Sequence, residues 1–167
     1  IPDPGESGFS VGVWLRSTRG GVLLDTRTAS PGAGFVLVLK AGVRPVLHVG
    51  TSEGDLTPSL SLVQHEWNYL GVTVDNREGR AVLTGHGDRE QVEFTGPASL
   101  RGGTGRVGAK SLPSSRLACF LGDLRLLALY PDTRLDTAGH NWLHNRFAAR
   151  FGRAPSIPSS PPGTRPV

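Results

Sequence analysis

A chain of 167 residues is one domain's worth of sequence, and 37% hydrophobic residues can fill a real core. Its 23 glycines and 13 prolines, the absence of methionine and closely spaced turn signals favour an all-β sandwich over a helical fold. At a formal net charge of +4, with a single cysteine and no apolar run long enough to span a bilayer, the composition excludes a helical membrane protein, an internal disulfide and a cysteine-built zinc site.

No charged-then-apolar leader precedes Ile1, and the start without methionine is what a matured or excised segment would show. In FSVGVWLR, Phe9, Val11, Val13 and Leu15 alternate with Ser10, Gly12, Trp14 and Arg16, the pattern of a strand with one apolar face. Gly20-Gly21 then turns into GVLLD. The run GFVLVLKAGVRPVLHVG breaks at Ala41-Gly42 into a hairpin, and Pro45 places its second strand at a sheet edge or at a strand start. A polar loop over residues 50 to 58 carries Glu53 and Asp55, and SLSLV reads as a short strand beyond it.

HEWNYLGVTVDNREGRAVLTGHGD reads as two alternating strands joined by a tight polar turn. Leu70, Val72 and Val74 point one way, Trp67, Tyr69 and Thr73 the other. EQVEF is a short strand, and a glycine-rich connection leads to the small strand RVGA. ACFLGDLRLLALY is the last long strand; Leu124, Leu126 and Ala128 oppose Arg125, Leu127 and Leu129, so both faces are apolar and the strand is expected to sit centrally. Cys119, inside that apolar run, is expected to be buried and inert. Asp136 or Thr137 can cap a helix through HNWLHNRFAARF, with Leu143, Phe147 and Phe151 on one stripe. The tail after Gly152 is rich in proline and serine. The expected organisation is therefore a sandwich domain over 1–152 and a linker or frayed tail over 153–167, which implies other domains of the same parent chain.

In this order the elements resemble the concanavalin A-like jelly roll, and within it the laminin G-like and pentraxin-like domains, over roughly residues 5 to 150. FSVGVWLR is similar to the family's opening strand, HEWNYLGVTVD to the segment in which a tryptophan opens a strand closing on aspartate, and GRAVLTGHGD to the strand after it. GRVGAK resembles the short strand before the last loop, and FLGDLRLLALYPDTRLD the closing strand, turn and helix start. The resemblance implies an antiparallel two-sheet jelly-roll sandwich with one short C-terminal helix. It also implies a binding module outside the cell or on its surface. Laminin-type members commonly carry a disulfide near the closing strand, which this chain cannot form. Some members bind calcium. Asp25, Asp75, Asp88 and Asp123 lie at loop or strand ends without dense spacing, so calcium stays open and no other cofactor is implied.

Related folds include glycanases, and retaining glycoside hydrolysis needs two carboxyl groups about 5 Å apart. No strand offers acid-x-acid-x-acid: Glu90 and Glu93 fall on opposite faces and Asp123 stands alone, so an enzyme is not expected. Serine-nucleophile motifs and phosphate-binding glycine loops are absent too, and no specific nucleic-acid partner is implied. Asp136, His140 and His144 share a helical face, but the first and last are about 12 Å apart along the axis, too far for one metal. The plainer role for these histidines is solvated or capping.

Two surfaces remain as candidates. Trp14, Arg16, Trp67, Tyr69 and Thr73 share one strand face, where aromatic rings can stack on a glycan and polar neighbours orient it. That face is alternatively a second minicore closed by the C-terminal helix, with Trp142 and Phe147 as cover. Rim residues Arg27, His48, Glu53, Asp55 and His86 are then the binding edge. The second surface follows from charge. Residues 1–100 hold 8 basic and 11 acidic residues against 10 and 3 in 101–167, and 16 of the 18 basic residues are arginine. Arg116, Arg125, Arg146, Arg150 and Arg153 can engage an acidic protein or sulfated polysaccharide, as in heparin binding, through bidentate forks. The alternative is a solvated basic surface.

Overall fold

The computed structural model describes residues 8–27, 34–41, 43–49, 56–85, 88–93, 105–109 and 118–151. In chain order the strands are β1 (Phe9–Arg19), β2 (Gly21–Asp25), β3 (Phe35–Lys40), β4 (Arg44–Val49), β5 (Trp67–Asp75), β6 (Arg80–Gly85), β7 (Asp88–Glu93), β8 (Arg106–Val107) and β9 (Leu121–Pro131). One helix follows, α1 (Thr137–Ala148), and it runs into a 3₁₀ turn over Ala149–Phe151. The strands form two antiparallel sheets, β7-β6-β5-β1-β9 and β4-β3-β2-β8. This is the expected two-sheet jelly-roll sandwich with its short C-terminal helix. The Pro- and Ser-rich tail lies outside the described residues.

Alternation builds the interior. Phe9, Val11, Val13 and Leu15 of β1 join Leu70, Val72 and Val74 of β5 and Ala81 and Leu83 of β6. From the other sheet they meet Phe35, Leu37 and Leu39 of β3 and Leu47 and Val49 of β4. Phe9 and Phe35 couple the layers edge to face, with ring centroids 5.2 Å apart. Burial of these side chains removes apolar surface from water at about 25 cal/mol per Å², the main force holding the sheets together.

The β5–β6 hairpin closes on the carboxylate of Asp75, whose Oδ1 accepts the amides of Arg77 (3.0 Å) and Glu78 (3.2 Å), while Gly79 takes the positive φ of 62° that the turn requires. Pro45 lies on β4, an edge of its sheet among the described residues, where a missing donor is tolerated.

Three sequence expectations are corrected. SLSLV is not a strand: Leu60 and Leu62 enter the core from an irregular segment. That segment is pinned by Glu90, which accepts from the Ser59 hydroxyl (2.7 Å) and the Leu60 amide (3.0 Å), and by buried Asn68, which bonds both backbone groups of Val63. Cys119 is exposed, its segment meeting β2 at an isolated bridge to Val22 rather than as part of a strand. Strand β9 is not central but an edge of its sheet among the described residues. Simple alternation also fails along it. Leu126 adopts φ 51° at a bulge between Val13 and Trp14 of the partner strand, so Leu124, Leu127 and Leu129 all pack on the interior while Leu126 turns to the outer face.

That outer face carries α1. Asp136 is the N-cap, accepting the Gly139 amide at 2.8 Å, and Leu143 and Ala148 are buried against Trp14 and Tyr69. The helix comes close because Gly12 and Gly71 face each other across β1 and β5. A Cβ on Gly71 would lie 2.3 Å from His140 Nδ1, and one on Gly12 would lie 2.7 Å from the Tyr69 hydroxyl. Gly71→Ala therefore displaces the imidazole and should destabilise the fold by about 1–3 kcal/mol. A lowered urea midpoint at unchanged slope is the measurement that checks it.

Candidate functional site

The register places every member of the aromatic face where alternation puts it: Trp14 opposite Tyr69, Arg16 opposite Trp67 and Ser10 opposite Thr73. Of the two roles open to that face, the structure adopts the minicore. Trp14 is 0% and Tyr69 1% exposed. Trp14 stacks on His144 at 5.1 Å between centroids and packs on Phe151 at 4.8 Å. Neither ring presents a surface on which a sugar can stack, which corrects their placement among ligand-binding residues. Trp67 is half-buried, packed 4.8 Å from Phe151 and covered by the Arg16 guanidinium at 5.3 Å. Arg16 is held in turn by Asp123, with Nη2 2.6 Å and Nε 2.9 Å from Oδ2.

Thr73 belongs to a hydrogen-bonded chain. Its hydroxyl donates to the Leu135 carbonyl at 2.8 Å, so the 2.8 Å contact with His140 Nε2 requires an N–H from the ring. Nδ1 then accepts from the Tyr69 hydroxyl at 2.8 Å. Both ring nitrogens are committed with one proton between them, and burial pushes the His140 pKa down from 6.5 to about 4 against the opposing pull of Asp136. Burial likewise raises the Tyr69 phenol, reinforced by Tyr130. His140 is thus a neutral core histidine, neither a metal ligand nor solvated.

The remaining candidates are separated. Among the described residues no three His, Cys, Asp or Glu side chains converge as a metal site. Asp25, fully buried, is tied to Arg27 at 2.7 Å, Asp75 to Arg134 at 2.6 Å and Asp123 to Arg16, so these carboxylates do not fit a calcium shell of six to eight free oxygens. Burial alone would raise the Asp75 carboxyl, but Arg134 and the Glu78 and Arg77 amides hold it below the usual range. Of the rim set, Arg27 and His48 are described; burial, then Arg27 and Lys40, lower the His48 pKa. Glu53, Asp55 and His86 lie outside the described residues, as do Arg116 and Arg153. Arg125, Arg146 and Arg150 are exposed, Arg146 lying 4.9 Å over the Trp142 ring and Arg150 5.9 Å over Phe147.

What the structure brings together is a groove that the sequence did not announce. Helix α1 covers β9, β1 and β5, and beside it the outer surface of β6 and β7 forms the floor of a polar depression of about 320 Å³. Thr73, Arg80, Thr84, Arg89, Arg134 and His140 line it, with Asp75, Asp136 and Thr137 at the helix entrance. Arg134 is committed to Asp75 and Arg80 to Glu78 at 2.6 Å. Arg89 has no carboxylate partner among the described residues. It stands directly opposite Thr84 across the β6–β7 ladder. Thr84 is 3% exposed and its hydroxyl has no hydrogen-bond partner among the described residues, an arrangement that native interiors usually avoid. The one signal in the sequence was the alternation Arg80, Val82, Thr84. It could not reveal that Arg134 arrives from a different strand end.

No family model and no curated protein matches the sequence. Solved structures do. The chain is similar to the native heptameric SAP-like pentraxin of Limulus polyphemus, at TM-score 0.60 and 15% identity over 84% of this chain and 69% of that one. It is similar to domains LG4-5 of the mouse laminin α1 chain, at TM-score 0.58 and 23% identity over 95% of this chain, and spans 42% of that longer one. It is also similar to the CBM40 of the Ruminococcus gnavus IT-sialidase bound to α2,3 sialyllactose, at TM-score 0.58 and 12% identity over 80% of each chain. Likeness at these TM-scores shows the fold, the concanavalin A-like jelly roll, and at these identities it leaves the ligand to the chemistry of the site.

The buried neutral His140 has a consequence for stability. Its folded pKa lies below its unfolded one, so the unfolded chain takes up the proton first and stability is fully present above pH 6.5 and lost as pH falls toward 4. The loss is about 3 kcal/mol across that window. Urea unfolding at stepped pH should show it, and His140→Gln should flatten most of the slope, leaving the smaller part owed to His48.

Proposed function

We propose that this chain is a non-catalytic binding module of a larger secreted or surface protein, and that it recognises a glycan in the groove beside the N-terminus of α1. The observation that carries this reading is the groove itself: an uncovered depression of about 320 Å³ whose lining combines hydroxyl, carboxylate and guanidinium side chains. Sugars are bound by such convergent polar groups at fixed positions. The likeness to a domain bound to sialyllactose supports the same class of ligand. No helix among the described residues is long and apolar enough to cross a membrane.

A second reading rests on the arginines stacked along α1. Arg146 and Arg150 lie over aromatic rings, and Arg125 is exposed on β9, a set suited to an acidic protein or a sulfated polysaccharide. Retention on heparin resin that disappears in Arg146→Ala/Arg150→Ala would favour it.

The groove reading is tested on a glycan array with the full chain. Val82 is half-buried on the groove floor, and Val82→Phe should fill the depression and reduce binding at least tenfold with an unchanged circular dichroism spectrum. If Trp67→Ala abolishes binding and Val82→Phe does not, the ligand sits at the Trp67–Arg16 end of the face and the groove is wrong.

A further inference from the structure

Resting on that glycan reading, we propose that the groove selects an acidic sugar, gripping one singly charged oxyanion, a carboxylate or a sulfate ester, between the Arg89 guanidinium and the Thr84 hydroxyl. Three arginines, Arg80, Arg89 and Arg134, and two aspartates, Asp75 and Asp136, line the depression. Arg134 and Arg80 already face carboxylates at 2.6 Å. Arg89 is the lining cation with no such partner among the described residues. Its cross-strand neighbour Thr84 holds a buried hydroxyl with no hydrogen-bond partner among the described residues, and directly opposed strand residues sit within about 5.5 Å at Cβ. A planar guanidinium and a hydroxyl carried by directly opposed residues on one sheet face can hold two oxygens of one anion. The first turn of the 12-residue α1 adds its positive end at Thr137 on the opposite wall.

The rest of the lining argues for a sugar over a bare anion. Asp75 and Asp136 repel a second negative charge yet accept hydrogen bonds from hydroxyl groups, and Asp75 stays ionised because Arg134 and two amides hold it so. The volume, about 320 Å³, lies at the small end of ligand sites and suits one ring. An unbonded Thr84 hydroxyl is unfavourable in the free protein, and an incoming oxyanion supplies the missing acceptor.

The test is a titration of the ¹⁵N-labelled chain with methyl β-glucuronide, glucose 6-sulfate, methyl β-glucoside and sodium acetate. Either acidic sugar should shift the amides of Thr84, Arg89 and Thr137, with the stronger of the two identifying the anion. The neutral glucoside and acetate should each bind at least tenfold more weakly. Arg89→Gln should cost at least tenfold in affinity. Thr84→Val should cost about fivefold while raising the unfolding temperature, a combination that a purely structural threonine would not give. Equal binding of glucoside, equal binding of acetate, or wild-type affinity in both variants would overturn the proposal. If none of the four probes shifts the groove while a neutral glycan is lost from the array on Val82→Phe, the charge selection fails and the glycan reading stands. A silent array together with silent spectra sinks both.

Discussion

The outer half of this protein depends on one seat, the Gly12–Gly71 pair, with the imidazole of His140 lying on Gly71 and the Tyr69 hydroxyl and Leu143 on Gly12. A helix that packed on ordinary strand side chains would ride higher and leave a gap. Gly71 lets the ring descend onto the sheet and Gly12 leaves room for the Tyr69 hydroxyl and Leu143, while the chain from Tyr69 through His140 and Thr73 to the Leu135 carbonyl satisfies both ring nitrogens. The same contact fixes the helix along the sheet. It closes Trp14 and Tyr69 from water, and it ends short of β6 and β7.

From that placement follows a division of labour across one face. Where the helix lies, the sheet presents aromatic rings and the contacts are those of an interior. Where it stops, Arg80, Val82 and Thr84 continue the same row of the pleat as the floor of the groove, and the loop before the helix brings Arg134 and Asp136 to its lining. The groove is therefore a by-product of packing as much as of its own residues. Its arginines differ sharply in state although they look alike in the sequence: one closes a hairpin through Asp75, one pairs with a turn glutamate, and one faces an unbonded hydroxyl.

The sheets, the central hairpin and the capped helix were legible in the sequence, because alternation and turn residues are local signals. The face shared by Trp14, Trp67, Tyr69 and Thr73 was legible too, since strand parity decides it. Whether that face was wet or covered was not, because a helix with Leu143 and Phe147 on one stripe could pack on several surfaces. The Gly12–Gly71 seat that selects among them exists only in the register. Strand β9 misled for a different reason: its apolar residues on both sides suggested a central position, whereas Leu126 in a left-handed conformation breaks the parity and lets one edge strand serve two hydrophobic clusters. The groove stayed hidden because its parts come from β6, β7 and the segment before α1, far apart in the chain.

The Leu126 bulge has one more effect. An edge strand exposes unpaired amides and carbonyls, a template on which a second copy can add its own strand and begin a growing fibril. Here the ladder is interrupted midway, Asp123 and Arg125 place opposite charges along the rim, and Pro131 withholds a donor at the end. Open on this side among the described residues, the sandwich is thereby shielded against runaway polymerisation by the kink that also delivers a leucine to the helix.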